Sequence, residues 1–384
     1  MYHCYLTCPR GLEEIAQVDI APFAKFIEIT KGGIQFQTDQ AGIYKINIHS
    51  RVGMHLLVEL LSFDAKDSDE LYSQIYNFPW DEVIDPKQTF AVKVRGYSDE
   101  FNNRNYTTLK IKDSIVDHIR KKKLSRPSID KNDPNIIISV FVSENHFKVY
   151  LDSSGVSLHK RGYRNKIHKA ALNEALAAGI VMLSNWNKSE PFYDTMCGSG
   201  TIAIEAALIA HNIAPGLLRN KFSFQNWSDY DAKLFNRIKI KAQKNMDIKS
   251  EVKIYGFDLQ FANIAMALYS CKSLGLEKSL IFKKQDMKIF NPKTDKGTLI
   301  INPPYGERLD SDDESLNLLY QMIGDIFKNK CTGFDCYVFT ANLEAAKFIG
   351  LKTQKKTVLK NGSLDSRLLY YPIEKGTYNK KGSN

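Results

Sequence analysis

The feature that most constrains the fold lies near the middle of the chain. A short apolar run, Glu190-Pro191-Phe192-Tyr193, ends on Asp194, turns through Cys197-Gly198-Ser199-Gly200 and enters the alanine-rich stretch Thr201-Ile202-Ala203-Ile204-Glu205-Ala206-Ala207. Strand, glycine turn and helix in that order make a bed for a nucleoside-bearing cofactor, because glycine lets the backbone approach a ligand that any Cβ would hold off. A second apolar run, Thr298-Leu299-Ile300-Ile301, ends in Asn302-Pro303-Pro304-Tyr305. There a carboxamide and prolyl carbonyls can accept bonds from a flat amino group, and a phenol ring can stack on the same plane. Together the two features predict an enzyme that methylates an exocyclic nitrogen.

From Leu172 onward strands and helices alternate. Strands are expected at Tyr193, Val252 to Phe257, Leu280 to Phe282, Leu299 to Ile301, Phe334 to Phe339 and Ser366 to Tyr371, with a helix over Phe261 to Leu274. Such a rhythm predicts a parallel, doubly wound sheet with ligands at the carboxyl ends of its strands. Asp258 follows the second strand, where a carboxylate can accept ribose hydroxyls, and Asp286 follows the third, where it can accept a bond from an adenine amino group. Each of Asp194, Asp258 and Asp286 taken singly also fits a helix N-cap. Three acids in register with a glycine turn and the Asn302 tetrad point instead to one adenosine. Cys197 has no histidine near it in sequence, so it reads as a small residue in a tight turn and not as a nucleophile.

With 384 residues, of which 43% are hydrophobic, the chain exceeds one ordinary core. Its first sixty residues alternate short strands and helices, ending with Met54 to Leu61, in an order that suits a ferredoxin-like sandwich. A second unit carries a helix near Asp69 to Tyr76, a strand over Thr89 to Val94, a long helix from about Thr107 to Lys122, and two strands joined at Ser143-Glu144-Asn145. The expected division is a unit over 1–60, a second over 61–155, a catalytic domain over 156–379 and a disordered tail over 380–384.

Net charge of +10 points to a polyanionic partner. The cations cluster: His159-Lys160-Arg161-Gly162-Tyr163-Arg164-Asn165-Lys166 makes Lys160, Arg161 and Arg164 candidate RNA contacts. The polar, aromatic segment from Arg95 through Tyr97 to Arg104 and Tyr106 has the make-up of a surface for an unpaired strand. Arg120-Lys121-Lys122-Lys123 fits a helix C-terminus as well as it fits phosphate contact. Six scattered cysteines without a Cys-x-x-Cys pair predict neither disulfides nor a metal site. No apolar run reaches the roughly 20 residues of a membrane span, and no signal segment opens the chain, so a cytoplasmic protein without membrane contact is expected.

For the reacting centre, Asn302 and the Pro303 carbonyl are assigned the two hydrogens of the target amine, Pro304 stiffens the turn, and Tyr305 fixes the base plane. Positioning and desolvation then supply most of the acceleration, without a strong general base. A neutral asparagine at the first position suits a guanine edge.

At this point the residues resemble a known family. Asp194-Thr195-Met196-Cys197-Gly198-Ser199-Gly200-Thr201, Asn302 through Leu309, Leu158-His159-Lys160-Arg161-Gly162-Tyr163-Arg164, and Ala214-Pro215-Gly216 through Phe224 and Trp227 are similar to the THUMP-containing guanine-N2 RNA methyltransferases, most of all to the bacterial 23S rRNA enzymes of that group. The resemblance implies an α/β fold: a Rossmann-type class I methyltransferase domain preceded by a ferredoxin-like unit and an α+β THUMP domain, with Lys112 in the THUMP-like stretch Thr108 to Asp117 as a further RNA contact. It implies S-adenosyl-L-methionine as donor, held by Asp194, Cys197, Gly198, Ser199, Gly200, Thr201, Asp258, Asp286 and Asn302. It also implies base selection by Asn302, Pro303, Pro304 and Tyr305. Thr195 departs from the proline of many relatives and should only relax the turn. The length leaves room for one methyltransferase domain, hence one modification. A tRNA target, adenine-N6 methylation of DNA, glutamine-N5 methylation of protein and a non-catalytic assembly role are the competing readings.

Overall fold

The computed structural model describes residues 1–164, 172–247, 250–304 and 313–374. Two sheets organise the molecule. The first has eight strands, β1 (Tyr2–Thr7), β2 (Lys25–Thr30), β3 (Gly33–Thr38), β4 (His55–Asp64), β5 (Thr89–Tyr97), β6 (Ser128–Ile129), β7 (Ile136–Ser143) and β8 (His146–Asp152), in the order β2-β3-β1-β4-β8-β7-β5-β6. The boundary expected at residue 60 falls inside β4. Residues 55–58 of that strand pair with β1 and residues 57–64 with β8, so the two N-terminal units share one continuous sheet.

Alternation along the strands decides which face is covered. Phe36, Cys4, Val58, Leu151, Ile138 and Val92 are partners in one row across the sheet. That face lies under the helices Glu13–Ile20, Gln40–His49, Ser68–Tyr76 and Arg104–Lys123, whose buried residues join the same cores. The next row, Glu59, Tyr150, Ser139 and Lys93, faces the other way.

The second sheet has seven strands, β9 (Phe192–Asp194), β10 (Ile254–Asp258), β11 (Leu280–Lys284), β12 (Gly297–Ile301), β13 (Phe334–Thr340), β14 (Lys355–Asn361) and β15 (Leu364–Pro372), in the order β11-β10-β9-β12-β13-β15-β14. β9 to β13 run parallel and β15 is antiparallel to both its neighbours. The chain leaves β9 toward β10 and β11, then returns to place β12 on the other side of β9. This reversal opens a crevice at the carboxyl end of β9, where open α/β sheets take their ligands.

All ten residues of the helix Thr201–Ala210 are buried between the sheet and the helix Glu174–Leu183, which explains its run of alanine and isoleucine. The same core runs without a break into the N-terminal unit: a Cβ on Gly179 would lie 2.3 Å from Leu12, so glycine there is what lets the two bodies meet. No helix among the described residues is long and apolar enough to cross a membrane.

Candidate active site

β9 carries Asp194 opposite Gly256 of β10 and Ile300 of β12, so the turn that follows β9 emerges between the ends of those two strands. The turn needs glycine: Gly198 has φ +53° and Gly200 has φ +81°, in the left-handed region that a side chain disfavours. At Gly198 an added Cβ would meet nothing within 4 Å, whereas at Gly200 it would lie 2.6 Å from the Phe282 ring. One glycine therefore leaves open space for a ligand, and the other lets the turn settle on the sheet.

The end of β10 fixes the turn. Cys197 donates its N–H to the Phe257 carbonyl at 2.9 Å, and Gly198 donates to Asp258 Oδ2 at 2.9 Å. Asp258 Oδ1 accepts from the Gln260 N–H at 2.8 Å and from Asn263 Nδ2 at 3.0 Å. Of the roughly four acceptor positions of a carboxylate, three are filled, so pairing with both hydroxyls of a ribose requires Asn263 to give way. Asp286 accepts from the Lys288 N–H at 2.9 Å.

A cavity of about 860 Å³ lies at these strand ends. Asp194, Cys197, Gly198, Ser199, Thr201, Asp258, Asp286, Asn302, Pro303 and Pro304 all line it; among the expected cofactor residues only Gly200 does not, being turned toward Phe282. Tyr305 lies outside the described residues. Sequence reading missed the apolar wall formed by Leu318, Leu319 and Met322. These come from the helix Asp313–Lys330, whose apolar periodicity was the available signal.

Asp194 is the electrostatic singularity of the cavity. It is 1% exposed, and neither carboxylate oxygen has a hydrogen-bond partner. Burial first, and then the charge of Asp258, push its pKa well above the usual carboxylate range; the backbone N–H groups of Ala203 and Met196 lie near enough to offset this in part but close no hydrogen bond of good geometry. A buried, orphaned carboxylate beside a nucleoside-sized cavity fits a cationic ligand. Burial also pushes the Cys197 thiol up, with Asp194 and Asp258 adding to the effect, which disfavours the thiolate.

The cation cluster around residue 160 corrects the sequence reading. Arg161, expected on the RNA surface, is fully buried: it donates to the carbonyls of Leu158 and Arg51, and its Nε lies 3.6 Å from Glu205 of the helix Thr201–Ala210. Tyr163 donates to the same Glu205 at 3.1 Å. Arg164, also expected to meet RNA, is turned inward: it donates to Thr201 Oγ1 and to the Leu172 carbonyl, and pairs with Glu174 at 3.4 Å. These groups brace the cofactor helix from behind and cannot reach a phosphate without breaking internal bonds. Lys160 alone of the three is exposed.

The other expected RNA contacts stand apart from this cavity. Arg104 is exposed and donates to the Gly96 carbonyl at 2.9 Å; Lys112 is half-buried and paired with Asp113 at 3.0 Å. Tyr97 closes β5, and its side chain lies outside what is described. Within the polar, aromatic segment before the long helix, Ser98 and Phe101 are buried and so face away from any ligand.

Three comparisons with known proteins bear on this site. The model of the RMKL-like methyltransferase domain matches residues 161–369, that of the THUMP domain residues 65–152, and that of the RlmL ferredoxin-like domain residues 3–57. A Synechocystis protein provisionally named an RNA methyltransferase is 34% identical over 370 residues, 96% of either chain. A protein inferred to be a methyltransferase and crystallised with SAH superposes with a TM-score of 0.90 at 28% identity, covering 98% of this chain and 99% of that one. A Listeria monocytogenes protein, for which N6-adenine-specific DNA methylase activity has been predicted, gives 0.87 at 27% identity, covering 97% and 96%.

Proposed function

The chain belongs to the RMKL-like methyltransferase family, and from that premise we propose that it transfers a methyl group to the exocyclic N2 of a guanine in 23S rRNA. At the coarser level it is an S-adenosylmethionine-dependent RNA methyltransferase. The observation that carries the finer reading is the sharing of one cavity by Asn302, Pro303 and Pro304 with the glycine turn and with Asp194, Asp258 and Asp286. The RlmL ferredoxin-like match supports 23S rRNA as the target.

S-adenosylmethionine, when bound, supplies an electrophilic methyl group on a sulfonium. The chain does the rest by placement. Asp194 offers a buried carboxylate whose ionised form a cationic ligand would favour, Asp258 and Asp286 offer acceptors for the nucleoside, and the Gly198 turn leaves space against the backbone. On the acceptor side, the Asn302 carboxamide oxygen and the Pro303 carbonyl take the two hydrogens of the guanine amino group and turn its lone pair toward the methyl carbon. As the amine gains a bond it becomes acidic, and its proton passes to water. The apolar wall of Leu318, Leu319 and Met322 excludes solvent and strengthens those bonds.

The test is mass spectrometry of nucleosides from purified 23S rRNA, tRNA and DNA of cells with and without this gene, read beside transfer of labelled methyl to each in vitro. Loss of N2-methylguanosine from 23S rRNA alone is the expected result. Loss from tRNA alone would replace the substrate. The Listeria likeness favours a second reading, because the same tetrad also suits an adenine amino group; loss of N6-methyladenine from DNA would replace the reaction.

A further inference from the structure

The face of the eight-stranded sheet that carries no helix forms the floor of a second cavity, of about 740 Å³, bounded on its other side by the segments around Ser154 to Lys160 and Lys221 to Asn226. Besides Lys221, six cations line it: Arg10, Lys31, Lys93, Arg95, Lys131 and Lys160. None of the six pairs with a carboxylate among the described residues, and Lys93 alone is half-buried while the others are exposed. The one acid of the lining, Asp133, is already neutralised by Lys221, whose Nζ lies 2.7 Å from both its oxygens. The floor is aromatic. Tyr5 and Phe141 line the cleft with their ring centroids 5.7 Å apart, and Tyr150 lies beside both at 6.2 and 5.7 Å.

Resting on the reading of the chain as an RNA methyltransferase, we infer that this cleft holds an unpaired stretch of the substrate RNA next to the target base. Cations around the rim and rings on the floor match a single strand, which offers phosphates and uncovered base faces together; a duplex offers phosphates alone. Neighbouring charge agrees with an anion site: burial first, then Arg161 and Lys160, lower the pKa of His159 to about 4, so this lining residue adds no charge of its own at neutral pH.

The chain also ties the cleft to the cofactor cavity. Lys160 lines the first, and four residues later Arg164 bonds Thr201, which lines the second. Four extended residues span at most about 14 Å, so a short length of chain joins a residue lining the cleft to one bonded to the wall of the cofactor cavity. The helix Arg104–Lys123, with Arg104 and Lys112, lies over the opposite face, because its Ile111, Ile115 and Ile119 share a core with Ile136, Ile138 and Val140, whereas Ile137 and Phe141 line the cleft. Of the RNA contacts expected from sequence, Lys160 lines the cleft, whereas Arg104 and Lys112 lie on the other side of the sheet.

The experiment uses the full chain with Lys93→Gln, Arg95→Gln and Lys131→Gln combined, and a control with Lys272→Gln, Lys355→Gln and Lys356→Gln, which removes the same charge elsewhere. Binding of fluorescein-labelled oligouridylate and of a matched RNA duplex is measured against salt concentration, and SAH affinity is measured by calorimetry to confirm an intact fold. The cleft variant should lose about 0.7 per cation, hence about 2 in all, from the slope of log affinity against log salt for the single strand, with SAH affinity unchanged and the control like wild type. If the wild-type enzyme binds and methylates RNA, an unchanged slope in the cleft variant would overturn the cleft and leave the proposed function standing, and an equal loss in the control would do the same. A wild-type enzyme that labels no RNA would overturn both.

Discussion

Replacing Asp194 by asparagine tests the cofactor site through stability and affinity at once, in opposite directions. The wild-type carboxylate is buried and both oxygens lack partners; a buried unsatisfied polar group costs about 1–3 kcal/mol. Asparagine keeps the shape and removes the charge, so part of that penalty disappears from the free protein. At about 2–4 °C per kcal/mol for a domain of the catalytic unit's size, melting should rise by a few degrees. The sign with pH follows from the raised folded-state pKa: the folded protein holds this proton more tightly than the unfolded chain. Its contribution is fully present below the ordinary carboxylate range and is lost as pH climbs through the raised value. The gap between variant and wild type should therefore widen as pH rises. Binding should move the other way, because the cationic cofactor loses a charge-assisted partner valued at about 1.5–3 kcal/mol, or roughly 10- to 150-fold in affinity. Thermal unfolding of the free protein across pH and calorimetry with S-adenosylmethionine read the two effects separately. A variant that melts like wild type at every pH and binds the cofactor equally well would show that Asp194 carries neither the desolvation penalty nor the cofactor contact.

The two glycines of the turn should separate in the same assays. Both substitutions put a side chain on a left-handed backbone, about 1–2 kcal/mol each; Gly200→Ala adds a Cβ 2.6 Å from Phe282 and should lower the melting temperature more, whereas Gly198→Ala, whose Cβ meets nothing within 4 Å, should weaken cofactor binding more, and equal effects on both readouts would contradict the assignment. Arg161→Met should destabilise the fold by about 3–5 kcal/mol by leaving Glu205 buried without its cationic partner, with Tyr163 alone still donating to it, and adding Glu205→Gln should restore much of it; a double variant no more stable than the single one would show that the pair does not brace the helix. Cys197→Ala should keep its turnover, and the wild-type thiol should resist iodoacetamide at neutral pH; collapse of turnover in that variant would assign the thiol a covalent role.

The parallel core was legible because its strands are apolar on both faces and bounded by turn signals: Gly297–Ile301 is buried at every position. β14 was missed for the opposite reason. It is an edge strand with Lys355, Lys356 and Lys360, polar in composition because an unpaired edge is protected by charge. The helix Ala232–Lys244 had a readable signal, with Asp231 as N-cap and Phe235, Ile238 and Ala242 on its buried side. The continuity of the first sheet was not readable at all, since the pairing of β4 with β8 joins residues nearly a hundred positions apart, and local periodicity carries no record of such a partner.

The same limit governs the site. Acids just past strand ends could be found because their function depends on position along a strand, which the sequence displays. The run from Lys160 to Arg164 could not be sorted that way, because a cation's role depends on whether a carboxylate faces it, and Glu205 and Glu174 come from helices the run meets only after folding. Three side chains that look alike in sequence thus have three destinations: Lys160 in the cleft, Arg161 on Glu205, and Arg164 on Thr201. Two of these bind the segment to the cofactor helix and one faces the proposed RNA path, so the segment works as a strap of fixed length between them. A strap held by buried bonds at one end cannot shift its exposed end far, and it is this rigidity that would set how a strand in the cleft is registered against Asn302.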